Sequence, residues 1–300
     1  MGLILNDARM LWEAKLRGTS FRKTLTVAHL VLFLHPSEVR LLEKAYRTAY
    51  PSSDRDALEG YRWGDYSDRF LRAFLGVDEL EILDNSAYEG ATLIHDLNQQ
   101  IPESLHAHFD AVIDAGTLEH VFNFPFALAN LMKMVKVGGS IFITTPANNL
   151  CGHGFYQFSP ELFFRAFTAE NGFNLLRVVF LECRFPSVEL VPVRRAYSVT
   201  DPAALRKRVG LLSNRPVMMM LEAVKTADSP AFAVFPQQSD YVTMWNQAPA
   251  PERTGFKVMA KRAFRKLPFF LRNRILGHYY SRMYSFANKN FYRKDKGRDL

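Results

Sequence analysis

Several side chains able to move protons or bind polar ligands stand where short apolar runs end. Glu119 and His120 follow Phe109–Asp114, and His153 and Tyr156 follow Ser140–Thr145. Asp84 closes Glu81–Asp84, and Asp96 closes Ala91–Asp96. An imidazole titrates near neutral pH, so His120 is a candidate general base toward an acceptor hydroxyl. His153 and Tyr156 belong to a loop able to close over a bound molecule. A carboxylate at a strand end, such as Asp84, accepts hydrogen bonds from ligand hydroxyls. Each residue also has a plainer use. Asp84 can bond the backbone of its own turn, Asp84-Asn85-Ser86, and Asp96 can cap Leu97-Asn98. Glu119 and His120 can simply shape a turn. Two cysteines, Cys151 and Cys183, are too few and too far apart for a disulfide framework or a zinc site, and no metal centre is read from the sequence.

The elements that must hold these residues follow from apolar periodicity. Thr24–Leu34 is an unbroken apolar run, expected as one strand buried on both faces. Pro36 opens a helix through Tyr46, and Phe70, Leu71 and Phe74 share a helix closed by Gly76. Short strands are expected at 81–84, 91–96 and 109–114. A helix opens near Asn123–Pro125, carries Phe124, Leu128, Leu131 and Val135 on one face, and is stopped by Gly138-Gly139 ahead of a strand at 140–145. Ser159-Pro160-Glu161 supplies the cap, the first-turn proline and the acidic first turn of a helix ending at Asn171-Gly172. Phe173–Cys183 and Val217–Lys225 read as strands, while 184–216 and 228–252 carry no assignable element. Alternation of this kind predicts an α/β fold with a doubly wound, mostly parallel sheet, whose ligands sit beyond the carboxyl ends of the strands.

Composition narrows the class. The chain is 48% hydrophobic and 23% charged, ordinary for a globular protein. No apolar run reaches the ~18 residues of a transmembrane helix, and the start of the chain is no signal peptide, so a cytoplasmic location is expected. The formal net charge of +8 is uneven: residues 252–300 hold 14 Lys+Arg against 3 Asp+Glu, leaving 1–251 slightly acidic. The expected division is therefore a body at 1–251 and a basic amphipathic extension at 252–300. There Phe256, Ala260, Ala263, Phe264 and Leu267 mark one helical face, and Leu271, Ile275, Tyr279 and Met283 mark a second. Packing on the body or in a homodimer ranks first for this extension. An anionic membrane surface, at the inner membrane face, ranks second and nucleic acid last.

Three motifs in register carry a resemblance. They are Ile-His-Asp-Leu-Asn at 94–98, Gly-Thr-Leu-Glu-His-Val-Phe-Asn-Phe at 116–124 and Gly-His-Gly-Phe-Tyr-Gln-Phe-Ser-Pro-Glu at 152–161. With Val137–Pro146, they make residues 24–185 resemble the class I S-adenosylmethionine-dependent methyltransferases. The resemblance is closest to a bacterial subgroup often found beside polysaccharide genes. It implies a seven-stranded Rossmann-like sheet, S-adenosyl-L-methionine as methyl donor, and O-methylation of a sugar or surface-glycan precursor. It places Ala28, His29, Asp84, Asp96, Leu97, Gly116 and Glu119 at the cofactor. Asp84 would meet the ribose hydroxyls and Asp96 the adenine amino group, with His120, His153 and Tyr156 as the catalytic set. One departure stands out: the first motif has no glycine. Ala28-His29-Leu30 replaces the subgroup's Gly-Arg-Gln, and an alanine Cβ resists positive φ. His29 is then expected to face the cofactor carboxylate in place of lost backbone contacts. The same departure supports a rival reading, a non-catalytic binding or assembly module on this fold.

Overall fold

The computed structural model of the protein describes residues 2–52, 56–184, 189–192, 195–245, 259 and 263–295. Its centre is a mixed sheet of nine strands rather than the expected seven. The parallel half contains β2 (Lys23–Val27), β4 (Glu79–Asp84), β5 (Leu93–Ile94), β6 (Phe109–Ala115) and β7 (Val135–Asn148). The other half contains β8 (Phe173–Glu182), β9 (Arg195–Val199), β10 (Val217–Lys225) and β11 (Tyr292–Lys294). The order across the sheet is β11-β9-β8-β10-β7-β6-β2-β4-β5. Strand β10 inserts between β7 and β8 and runs antiparallel to both. The chain order reverses between β2 and β6, which are parallel neighbours. A crevice at the carboxyl ends of such a pair is where open α/β sheets bind ligands.

The run 24–34 is two strands, not one. Strand β2 ends at Val27, and the short β3 (Val31–Phe33) leaves the main sheet to pair in parallel with β1 (Gly2–Ile4). The break lies at Ala28, whose φ is +69° and whose N–H donates to the Leu83 carbonyl at 2.7 Å. A left-handed turn thus forms without glycine, and its Cβ strain costs about 1 kcal/mol. Ala28→Gly is expected to raise stability by roughly 0.5–1 kcal/mol, because relief of strain outweighs the extra freedom of the unfolded chain. Urea denaturation measures this directly, and an unchanged or lowered midpoint would show the turn to be unstrained.

Helices cover both faces. On one side α1 (Leu5–Leu16) and α3 (Asp68–Leu75) bury Leu11, Trp12, Phe70 and Phe74, with α2 (Pro36–Ala49) alongside. The first of these was not read from the sequence. It is clipped to the sheet by Glu222 on β10, which is fully buried and receives Arg17 at 2.6 Å and Arg177 at 2.9 Å. On the other side α4 (Phe124–Met134) and α5 (Pro160–Ala166) bury Leu128, Leu131 and Phe163. The α4 helix stops at Met134, earlier than Gly138-Gly139 suggested. Its last carbonyls are met by the buried Lys225 ammonium, 3.3 Å from Met132 O and 3.1 Å from Val135 O. The α5 helix also ends early, at Ala166, where the side-chain amide of Asn171 caps the Ala166 carbonyl at 2.9 Å.

The segment 184–216 holds β9 and α6 (Pro202–Leu205), and 228–252 holds α7 (Ser239–Trp245). Of the first helical face expected in the extension, Phe256 and Ala260 lie outside the described residues, while Ala263 and Phe264 fall in a short helical turn. The second is α8 (Phe269–Met283), which buries no residue and exposes Phe269, Phe270 and Tyr279. Beyond it the chain returns to the body: β11 pairs with β9, and Phe291 and Tyr292 are buried. A boundary at 252 is therefore one of charge more than of packing. Among the described residues, no helix is long and apolar enough to cross a membrane.

Candidate functional site

A cleft of about 200 Å³ opens at the reversal of strand order. Val27 and Ala28 line it from β2, Leu83, Asp84 and Asn85 from β4, and His95–Asn98 from the β5 end. Thr117, His120 and Val121, just past β6, close the far side. The parallel pairing of these strands sets Asp84 at the carboxyl end of β4, with Asp96 just past β5 and Glu119 just past β6 at the same end of the sheet. Of the residues read from the sequence, Ala28, Asp84, Asp96, Leu97 and His120 meet at this cleft.

The two aspartates keep their plainer bonds as well. Ser86 N–H donates to Asp84 Oδ1 at 3.3 Å. The backbone and side-chain amides of Asn98 both donate to Asp96 Oδ1, at 2.9 and 2.8 Å, and hold that carboxyl below its usual range. Both Asn98 bonds fall on one oxygen of Asp96.

His29 is a correction. It does not line the cleft: the chain leaves β2 at Ala28, and the imidazole packs flat on Tyr66 with ring centroids 3.5 Å apart. Its Nδ1 is 2.7 Å from the Glu89 carbonyl oxygen and its Nε2 is 2.9 Å from Asp68 Oδ2, so both nitrogens have protein acceptors. Gly116 is not in the cleft wall either. It turns the chain out of β6 at φ +100°.

Glu119, His120 and His153 form a second group beside the cleft. Glu119 is fully buried, and the Thr145 hydroxyl donates to its Oε2 at 3.1 Å. The loop carrying His153 is tied to the Glu119 carbonyl by Phe155 N–H at 2.8 Å and Tyr156 N–H at 3.2 Å. Gly154 makes this approach possible: at φ +75°, a Cβ would lie 2.8 Å from that carbonyl oxygen. His153 Nε2 is 3.4 Å from Glu119 Oε1, an ion-pair contact too long to count as a full hydrogen bond. The Glu119 carboxylate raises the His153 pKa against the opposing loss of water around the ring. The Tyr156 hydroxyl donates to Phe122 O at 2.7 Å, which anchors the loop.

Asp114 is the residue sequence reading missed. It is buried at the end of β6, and Thr117 N–H and Leu118 N–H donate to its two oxygens at 2.9 and 3.4 Å. Those bonds fix the turn that presents Glu119 and His120. Burial first, and the charge of Glu119 second, push the Asp114 carboxyl well above the usual carboxylate range. Its position inside an apolar run was the available signal, since a buried acid there needs a partner.

The chain matches no protein-family model and no curated protein. It is similar to solved methyltransferase structures. One is a variant of the 16S rRNA (adenine(1408)-N(1))-methyltransferase from Catenulisporales acidiphilia, at 12% identity and TM-score 0.34, covering 74% of this chain and 93% of that one. Another is the trans-methyltransferase CalH in complex with SAH, at 9% and 0.38, covering 73% and 55%. A third is a SAM-dependent methyltransferase from Aquifex aeolicus, at 9% and 0.33, covering 72% and 89%. Likeness at this level fixes neither ligand nor activity.

Proposed function

We propose that this protein is an S-adenosylmethionine-dependent methyltransferase acting on an oxygen of a small-molecule or glycan acceptor. The observation that carries the reading is the cleft at the switch point, with Asp84 and Asp96 on one wall and His120 on the other. The residues fit a nucleoside: Asp84 would accept from the ribose hydroxyls and Asp96 from the adenine amino group. Ala28 supports the fit, since its left-handed turn keeps the backbone close to the cleft without glycine. The cleft is smaller than the ~300–1,000 Å³ typical of ligand sites, so the methionine end of the donor would extend past it. When bound, the donor supplies an electrophilic methyl group. The protein's task is to align an acceptor oxygen with that methyl and to take its proton, and His120 with its neighbours Glu119 and His153 stands at the proper side. The glycan class of acceptor rests on the motif resemblance.

Calorimetric titration with S-adenosylmethionine and S-adenosylhomocysteine tests the reading. Micromolar binding is expected, weakened by about 1.5–3 kcal/mol, roughly 10- to 150-fold, in Asp84→Ala. Absence of binding at millimolar ligand would make the non-catalytic module the better account.

A further inference from the structure

Glu119 Oε1 is a buried oxygen with no hydrogen-bond partner, although its residue is fully enclosed and Oε2 is satisfied by Thr145. A carboxylate oxygen stripped of water is costly unless something positive meets it. The carboxylate lies near imidazoles on two separate elements. Ligating atoms of Glu119, His120 and His153 all lie within 4.8 Å of one another. The ion-pair contact of Glu119 Oε1 is His153 Nε2, 3.4 Å away. Two ligands bound at ~2.0–2.1 Å to one tetrahedral cation are about 3.4 Å apart, so this spacing is compatible with two atoms sharing a metal.

We propose that Glu119, His120 and His153 bind a divalent transition-metal ion. Two imidazoles and a carboxylate suit Zn²⁺, Co²⁺, Fe²⁺ or Mn²⁺, and three protein ligands leave at least one position open. His120 lines the cleft, which sets the three ligands beside the space where an acceptor would bind. The surroundings are those of a built site. Thr145 orients the carboxylate from behind, and Gly154 lets the His153 loop close onto the Glu119 backbone. His120 and His153 have exposed side chains, and their ring centroids lie 5.2 Å apart, so modest rotamer changes bring both nitrogens to the ion. For the acceptor this rests on the methyltransferase reading: a cation there would lower the pKa of a coordinated hydroxyl, so that its proton passes to solvent water and not to His120. Cation binding itself does not depend on that reading.

The test is titration of the full-length, tag-free, chelator-treated protein with Co²⁺, followed by visible absorption, with Zn²⁺ as competitor. One saturable equivalent is expected. His153→Ala and His120→Ala should each weaken it by about 10- to 100-fold or more. His278→Ala, on the distant α8, should leave it unchanged. His153 is 47% exposed on a loop, so its removal leaves the core intact, and thermal melts of the variants confirm folding. Absence of a saturable site at millimolar Co²⁺, or wild-type affinity in both histidine variants, would overturn the proposal. Binding of S-adenosylmethionine, measured separately on the metal-free protein, can succeed or fail independently, so the two readings stand or fall apart.

Discussion

Glu222→Ala is expected to destabilise the protein by about 3 kcal/mol, near the lower end of the ~3–5 kcal/mol for breaking a buried ion pair. Glu222 is fully buried on β10 and is shared by Arg17, from the end of α1, and Arg177, from β8. Arg177 also reaches Glu13 at 2.6 Å and the Met10 carbonyl at 2.9 Å, so the three chain segments are held at one point. Removing the carboxylate leaves two guanidinium groups facing each other. Their side chains keep 40% and 23% exposure, so water can partly reach them, and this favours the lower figure. Glu222→Gln keeps the shape and an acceptor and should cost less. Urea denaturation of the three proteins settles the size. A loss under about 1 kcal/mol in Glu222→Ala would mean that the network is effectively solvated and that α1 is held by packing alone.

Deleting the basic extension from residue 253 onward is expected to be more damaging still. Composition makes that segment look detachable, yet Phe291 and Tyr292 are among the buried core residues. The Tyr292 hydroxyl donates to Gly210 O at 2.9 Å, and Phe286 stacks on Tyr197 at 4.1 Å. Full burial of two aromatic side chains is worth roughly 3–6 kcal/mol, a large part of the ~5–15 kcal/mol that a folded protein has in hand. The cut also uncovers the edge of β9, which β11 now pairs, and a bare strand edge is a template for pairing with another chain. Aggregation or a collapsed melting temperature is the expected result. A soluble truncated body that melts like the intact chain would restore the division at 252 as a real one.

The sequence determined the strand ends on which the site stands. Short apolar runs bounded by polar residues placed Asp84, Asp96 and Glu119 at carboxyl termini, and parallel pairing then put them on one edge without further information. It also specified the α3 stop at Gly76 and the α5 start at Ser159, because capping is a matter of a few neighbouring residues. What it left undecided depends on contacts across long separations. The break at Ala28 is invisible in an apolar run, since alanine has no preference for positive φ; the Leu83 carbonyl, on the neighbouring strand, accepts its amide and helps hold the turn. The insertion of β10 between β7 and β8 is equally silent, because both of its neighbours bury the same kinds of side chain. The position of His29 was decided by Tyr66, Asp68 and Glu89, distant in sequence from the turn that presents it. His153 meets Glu119 only because Gly154 lets a loop thirty-odd residues downstream approach a backbone carbonyl closely. Periodicity and capping are local and can be read along the chain. Close approach and mutual charge effects, such as that of Glu119 on Asp114, exist only once the tertiary structure has brought the groups together.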